Sequence, residues 1–211
     1  MELIWLLWQS DIEKIFSFII SINKLKKTYR YSQVTNKQWD SVADHCRRLG
    51  MMWILFNRKL NLWYDDLKIL MLAQCHDLAE IVDWDIDVSL VYNWKITHEQ
   101  KDEIEKENIK KIISCLPQDL QTEIFEFWED YRLWTSQEAK FMKTLDKIEA
   151  TLHYMEYDFE NDSMIWFLGY HWNKEAIKSP QTKQILKISK KLLKQFLVQR
   201  WMEWEKEYDE Y

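Results

Sequence analysis

Glycine is so scarce in this sequence that most strand-rich folds are excluded. Only two glycines, Gly50 and Gly169, and two prolines occur among 211 residues. Tight hairpin turns and phosphate-cradling loops need residues that adopt positive φ angles without steric cost, which is the property of glycine. P-loop and Rossmann-type nucleotide sites depend on such glycines as well. The sequence therefore predicts an all-α protein.

Apolar residues recur at helical spacing along almost the whole chain. We predict one domain over residues 1–211, a bundle of about seven or eight helices. The predicted helices cover about 3–27, 41–57, 64–82, 97–114, 118–134, 136–157 and 182–207. Ser41 and Ser136 are expected to cap the helices that follow them, because a serine hydroxyl accepts an early backbone N–H.

The charge balance and the cysteine pattern limit partners and location. The formal net charge is −6, from 29 basic and 35 acidic residues, whereas a protein that binds nucleic-acid polymers normally carries a basic excess. A single nucleotide remains compatible with this charge. The three cysteines form no CxxC pair, and no apolar run approaches the ~20 residues of a membrane span. We expect a soluble, cytoplasmic protein with no membrane partner.

The first candidate site residues are His76 and Asp77, in an otherwise apolar stretch with Glu80 three residues further on. Burying an imidazole and two carboxylates together costs several kcal/mol unless something neutralises them. A divalent cation does so. A buried His–Asp hydrogen bond beside a partly exposed Glu80 explains the same stretch equally well, so these residues alone leave both interpretations open.

Two further residues favour a metal. His45 and Asp146 each place a ligand-type side chain beside an apolar helix face. Two imidazoles and two carboxylates leave positions open on a six-coordinate cation for water and substrate. Such mixed nitrogen and oxygen ligation suits Mn²⁺, Fe²⁺, Co²⁺, Ni²⁺ or Zn²⁺ better than Ca²⁺.

Several short motifs together resemble a known family. They are Ser41-Val42-Ala43-Asp44-His45, His76-Asp77-Leu78-Ala79-Glu80, Asp85-Ile86, Leu116-Pro117-Gln118-Asp119-Leu120 and Glu138-Ala139-Lys140-Phe141 followed by Leu145-Asp146. This H…HD…D pattern resembles the HD-domain phosphohydrolases, and within them the 5′-deoxynucleotidase branch. The resemblance is strongest over residues 25–157, and the C-terminal helix and tail, 180–211, diverge from it.

The resemblance implies a role for each matching position. The metal ligands would be His45, His76, Asp77 and Asp146. The catalytic residues would be Glu80, which orients or deprotonates the attacking water, and Asp85, near the sugar and leaving group. The substrate-binding residues would be Arg30 for the phosphate, with Tyr31 and Trp84 beside the nucleoside. Trp84 replaces a glycine of the family pattern, which is expected to alter base or sugar selectivity.

The resemblance implies a metal-dependent phosphohydrolase that removes the 5′-phosphate from (deoxy)nucleoside 5′-monophosphates. Mn²⁺ or Co²⁺ is the expected cation, with Zn²⁺, Fe²⁺, Ni²⁺ or Mg²⁺ as alternatives, and a homodimer is expected. One alternative is a dNTP phosphohydrolase or triphosphohydrolase that uses the same site. Another is a non-catalytic, metal-dependent nucleotide-binding protein, although every ligand position and Glu80 are present.

The remaining histidines and Cys75 are assigned no chemical role. We expect His98, His153 and His171 at the surface. Cys75 has an apolar context, so it is interpreted as a buried thiol and not as a nucleophile.

Overall fold

The computed structural model describes residues 10–30, 40–83, 97–157, 180–200 and 202–204. Its α-helices are α1 (Asp11–Ile22), α2 (Val42–Leu60), α3 (Asp66–Cys75), α4 (Glu80–Asp83), α5 (His98–Ile113), α6 (Gln118–Leu133), α7 (Gln137–Tyr157) and α8 (Pro180–Gln199), and a 3₁₀-helix, Asn23–Lys27, follows α1. Within these ranges, β-type pairing is limited to an isolated antiparallel bridge between Tyr29 and Ser41. The all-α prediction is confirmed.

Side-chain caps set the starts of three helices as the sequence indicates. The Ser41 hydroxyl accepts the backbone N–H of Asp44 at 3.2 Å at the start of α2. Thr97 and Gln100 form a reciprocal capping box at the start of α5. Ser136 caps α7 in the same way as Ser41 caps α2. These starts depend on local hydrogen bonds, which is why short motifs predict them.

The predicted continuous helix over 64–82 is wrong. The chain forms α3 and α4 with a turn at residues 76–79 between them. In this turn the Leu78 N–H donates to the Cys75 carbonyl at 3.3 Å, and the Glu80 N–H donates to the Asp77 carbonyl at 3.2 Å. These bonds span three residues and wind the backbone more tightly than an α-helix. His76 and Asp77 therefore lie in a turn between two helices.

The last helix begins and ends earlier than the predicted range of 182–207. It starts at Pro180, where the absent N–H costs nothing in the first turn. It ends at Gln199, and the Met202 N–H donates to the Leu197 carbonyl at 3.1 Å. The Arg200 guanidinium packs over the Phe196 ring, 3.6 Å from its centroid. Non-helical backbone follows at residues 202–204.

The chain divides into two compact units, residues 1–47 with 71–132 and residues 48–70 with 133–211. The first has a core cluster of Leu25, Val42, Cys46, Cys75, Leu78, Ala79, Ile81, Ile109, Ile113, Leu116 and Trp128. Members of this cluster flank His45 on α2 and flank the turn with His76 and Asp77. The core of the first unit therefore holds both segments in place. Among the described helices, none has the length and apolar character that a bilayer span requires.

The second unit has an aromatic core on α7. Trp53 and Phe141 pack edge to face with ring centroids 4.7 Å apart, and Tyr154 packs against Phe196 of α8. His153 is only 1% exposed, so the expectation of a surface histidine is wrong. The charged residues around it in sequence suggest a solvated helix, but tertiary packing buries this side chain.

A buried ion pair joins α2 to α7 within the second unit. Arg48 Nε donates to Glu149 Oε1 at 2.7 Å, and a second guanidinium nitrogen contacts the same carboxylate. Glu149 is fully buried, whereas Glu156, the other partner of Arg48, is 52% exposed. Burial lowers the pKa of Arg48, but attraction by Glu149 and hydrogen bonds to both carboxylates more than offset this, and its pKa is raised overall.

Replacing Glu149 by glutamine should destabilise the protein, because it removes the fully buried carboxylate of the pair and leaves Arg48 with only the exposed Glu156. The free energy of unfolding measured in urea should fall by about 3 kcal/mol. Glu156→Gln is the matched control and should cost less than about 1 kcal/mol, since exposed pairs contribute little. Equal losses in the two variants would contradict this distinction.

Candidate metal centre

A backbone bridge places Arg30 beside the first turn of α2. The Arg30 N–H donates to the Asp40 carbonyl at 3.1 Å, and the Val42 N–H donates to the Thr28 carbonyl at 2.9 Å. These bonds join the chain on both sides of residues 31–39. As a result, Arg30 lies next to the helix that carries His45, although fifteen positions separate the two residues.

Three ligand-type atoms converge in the first unit. His45 Nε2 lies 3.2 Å from His76 Nε2. Asp77 Oδ2 lies 3.1 Å from His76 Nε2 and 3.7 Å from His45 Nε2. Both imidazoles are buried, and the side chain of Asp77 keeps 20% of its surface exposed. The cluster therefore combines a buried pair of nitrogens with a carboxylate that reaches solvent.

The hydrogen bond on the far side of the His76 ring defines its tautomer. His76 Nδ1 lies 3.1 Å from the Ala73 carbonyl oxygen. Because a carbonyl oxygen only accepts, Nδ1 carries the hydrogen, and Nε2 of the neutral ring presents its lone pair to the cluster. Metal-binding histidines usually have this arrangement, since a backbone carbonyl then holds the ring orientation. The Tyr131 ring packs on His76 with centroids 4.8 Å apart.

The His45 ring is held by Arg30. Arg30 Nη1 lies 2.7 Å from His45 Nδ1, and a guanidinium only donates, so Nδ1 accepts in this arrangement. The ring hydrogen is then on Nε2, directed at His76. A cation bound at Nε2 requires this hydrogen to move to Nδ1, which ends the hydrogen bond from Arg30. Asp40 Oδ2, 3.5 Å from Arg30 Nη1, offers the guanidinium another partner.

The spacing of the three atoms fits a single divalent cation. Two ligands that are each about 2.1 Å from a cation are about 3.0 Å apart at a right angle and about 3.4 Å apart at the tetrahedral angle. The observed separations are 3.1, 3.2 and 3.7 Å. Without a cation, the His45 Nε2 hydrogen lies between the two ring nitrogens, and a bound cation would take its place and offset the charge of Asp77. His45, His76 and Asp77 could therefore hold a metal.

The structure describes some of the other predicted site residues and not others. Glu80 begins α4 in the same tight turn as Asp77 and is partly buried. Asp146 lies on α7 in the second unit and is also partly buried. Tyr31, Trp84 and Asp85 lie outside the described residues. Their functional roles stay predictions.

Two neighbours of the candidate metal centre, Cys46 and Tyr131, were not predicted from the sequence. Cys46 directly follows His45, and helical periodicity gives no signal for Tyr131. The prediction that Cys75 is a buried thiol is confirmed, because it is 4% exposed. Burial and, to a smaller extent, the charge of Glu123 raise the pKa of Cys75 to about 12.

Sequence comparison assigns the family. The sequence model of the HD domain family matches residues 22–186. This chain belongs to the HD domain family. The mouse protein named 5′-deoxynucleotidase HDDC2 is 35% identical over 150 residues, which is 70% of this chain and 72% of that protein. A protein from Yersinia pestis named 5′-deoxynucleotidase is 30% identical over 144 residues, which is 66% of this chain and 72% of its own length.

Solved structures share the fold at low sequence identity. A crystal structure described as a predicted metal-dependent phosphohydrolase from Magnetospirillum magnetotacticum aligns with a TM-score of 0.70 at 19% identity, over 92% of this chain and 96% of that one. A conserved hypothetical protein from Pyrococcus furiosus aligns with a TM-score of 0.65 at 23% identity, over 83% and 99% of the two chains. The helical fold of the family is therefore retained here.

Asp77→Asn should weaken metal binding, because an amide oxygen carries no charge to offset that of the cation. We expect the dissociation constant for Mn²⁺, measured by titration calorimetry, to rise by about 10- to 100-fold or more. Loss of a residue that only hydrogen-bonds to a metal ligand already has an effect of this size. Asp44→Asn is the matched control, since Asp44 is an exposed carboxylate on the first turn of α2. Unchanged affinity in Asp77→Asn would argue against this metal centre.

Proposed function

We propose that this protein is a metal-dependent 5′-deoxynucleotidase, which hydrolyses a deoxynucleoside 5′-monophosphate to the nucleoside and inorganic phosphate. The observation that carries the proposal is the convergence of His45, His76 and Asp77 within 3.7 Å, beside Arg30. The names of the relatives support the same activity. We assign Asp146 as the fourth metal ligand on the basis of the resemblance, with Mn²⁺ or Co²⁺ as the first cations to test.

Arg30 is the residue best suited to hold the phosphate. Its guanidinium presents a planar set of donors that matches two oxygens of a phosphomonoester dianion. A bound divalent cation would neutralise phosphate charge and make a water molecule more acidic at neutral pH. Once His45 Nδ1 is protonated, it no longer accepts from Arg30, so the guanidinium is released toward the substrate.

Glu80 is assigned as the residue that takes the proton of the attacking water. It belongs to the same tight turn as Asp77, since its N–H donates to the Asp77 carbonyl. The family resemblance supports this role, in which the Glu80 carboxylate would orient the attacking water and accept its proton. For the sugar and leaving group we assign Asp85, with Tyr31 and Trp84 beside the nucleoside. These three assignments rest on the family resemblance.

Phosphate release from a panel of deoxynucleoside and ribonucleoside monophosphates, with each divalent cation added in turn, tests this function. The expected result is metal-dependent release of one phosphate per nucleotide, abolished in Asp77→Ala. Full activity of Asp77→Ala would overturn the assignment. Chromatography of the products from dAMP and dATP separates the rivals, because a triphosphohydrolase releases triphosphate from dATP. Metal-dependent binding without turnover across the panel would indicate a nucleotide-binding protein.

Glu80→Gln should lose catalysis while it keeps the metal, because glutamine preserves the shape but cannot accept a proton. We expect kcat to fall by about 10²- to 10⁴-fold, the usual contribution of a general base, with the metal content per chain unchanged. Glu103→Gln, an exposed position on α5, serves as the control. A drop in metal content that parallels the drop in kcat would instead place Glu80 among the ligands.

Arg30→Gln should impair substrate binding without weakening metal binding. Loss of a charge-assisted hydrogen bond to phosphate costs about 1.5–3 kcal/mol, so KM should rise by about 10- to 150-fold. The metal dissociation constant should stay equal or decrease, because the variant removes a competitor for His45. Arg47→Gln, at an exposed site on α2, controls for loss of charge. Loss of metal binding in Arg30→Gln would show that Arg30 supports the centre and does not bind substrate.

The homodimer, the cytoplasmic location and the single-domain organisation stay predictions. Sedimentation of the purified chain with and without nucleotide would measure its oligomeric state.

A further inference from the structure

Cys46 lies at the edge of the candidate metal centre. Its Sγ, a His76 ring nitrogen and an Asp77 carboxylate oxygen all lie within 4.8 Å of one another. Cys46 is buried at 4% exposure and belongs to the first unit, like the two residues it approaches. The thiol therefore shares the buried space in which His45, His76 and Asp77 converge.

The geometry of α2 explains how His45 and Cys46 can both reach this space. Successive residues on an α-helix are about 100° apart around its axis. The side chains of His45 and Cys46 can therefore approach one pocket only from different directions. His45 reaches His76 with the tip of its ring, at 3.2 Å. Cys46 has a short side chain, and its Sγ lies within 4.8 Å of a His76 ring nitrogen and an Asp77 carboxylate oxygen.

The distances are close to the range of one coordination sphere. A sulfur about 2.3 Å from a cation and a nitrogen about 2.1 Å from it are at most about 4.4 Å apart. The upper bound of 4.8 Å for the Cys46 cluster exceeds this by a few tenths of an ångström. A change of side-chain rotamer moves a sulfur much further than that, so coordination requires no backbone movement.

The two buried cysteines of the first unit are not equivalent. Cys75 has the same 4% exposure as Cys46 and directly precedes His76 in sequence. Among the described residues, however, one cluster of ligand atoms includes Cys46, and no cluster includes Cys75. No disulfide involves either residue. Position relative to the ligand atoms, and not burial alone, distinguishes Cys46.

We propose that Cys46 is an additional ligand, a thiolate, of the cation held by His45, His76 and Asp77. This inference rests on the proposed function, since it concerns the same metal. The thiol proton passes to solvent as the sulfur binds. Thiolates favour softer divalent cations over Mn²⁺ and Mg²⁺, which prefer oxygen ligands. Cys46 therefore makes this centre selective for Zn²⁺, Co²⁺ or Fe²⁺.

Electronic absorption of the full-length chain with one equivalent of Co²⁺ tests the thiolate. Visible ligand-field bands report bound Co²⁺, and a near-ultraviolet charge-transfer band reports sulfur bound to it. The wild type and Cys75→Ala should show both features. Cys46→Ala should keep the visible bands and lose the charge-transfer band. Cys46→Ser, which is closer in volume, replaces Cys46→Ala if the alanine variant does not fold, as judged by circular dichroism.

Two results would overturn the proposal. One is a wild-type spectrum with visible bands but no charge-transfer band, which leaves the metal centre and the proposed function intact. The other is a charge-transfer band that persists in the Cys46 variants. If Co²⁺ produces no bands in any variant, both the thiolate and the metal centre fail. A chain that shows both bands but hydrolyses no nucleotide would support the thiolate and contradict the proposed function.

Metal competition gives a second readout that does not depend on activity. Loss of a partner that only supports a ligand costs about 10- to 100-fold in metal affinity, so loss of a direct ligand should cost at least as much. Against a chromophoric chelator, Zn²⁺ affinity should fall by at least about tenfold in Cys46→Ala, and Mn²⁺ affinity should change much less. Equal changes for the two metals would contradict a thiolate ligand.

Discussion

The close approach of three basic atoms, two imidazole nitrogens and a carboxylate oxygen within 3.7 Å of one another, is the constraint on which the candidate site depends. Such a cluster is unfavourable in a protein interior unless protons or a cation offset the repulsion. The surrounding structure holds it together nonetheless. The core of the first unit flanks His45 on α2, and a turn of three-residue hydrogen bonds presents His76 and Asp77.

In the proposed function, the hydrogen bonds at the rim of this cluster link metal binding to substrate binding. His76 is already in the tautomer that a metal requires, because the Ala73 carbonyl accepts its Nδ1 hydrogen. His45 is not, because Arg30 donates to its Nδ1. A cation at His45 must therefore displace Arg30. In the proposed function, the same event would make the guanidinium available to phosphate, so metal would bind before nucleotide. This order would keep Arg30 paired until the centre is loaded.

Much of the fold could be predicted, because its signals are local. The scarcity of glycine excludes strand-rich alternatives, and the Ser41 and Thr97 caps mark helix starts within one residue. The turn at 76–79 could not be predicted in this way. Its residues suit a helix by composition, and the switch to three-residue bonds accompanies the packing of Cys75 and Leu78 into the core of the first unit. His153 was misjudged for a related reason, since tertiary packing decides its burial.

The sequence by itself determined the helical class, most helix starts and the types of side chain able to bind a metal, because periodicity, capping and ligand chemistry are properties of short segments. Only the tertiary structure decided which atoms meet. The pairing of Arg30 with His45, the tautomer of His76 and the place of Cys46 beside Asp77 depend on contacts between segments distant in sequence. Such contacts follow from how the core packs, and neither periodicity nor capping encodes them.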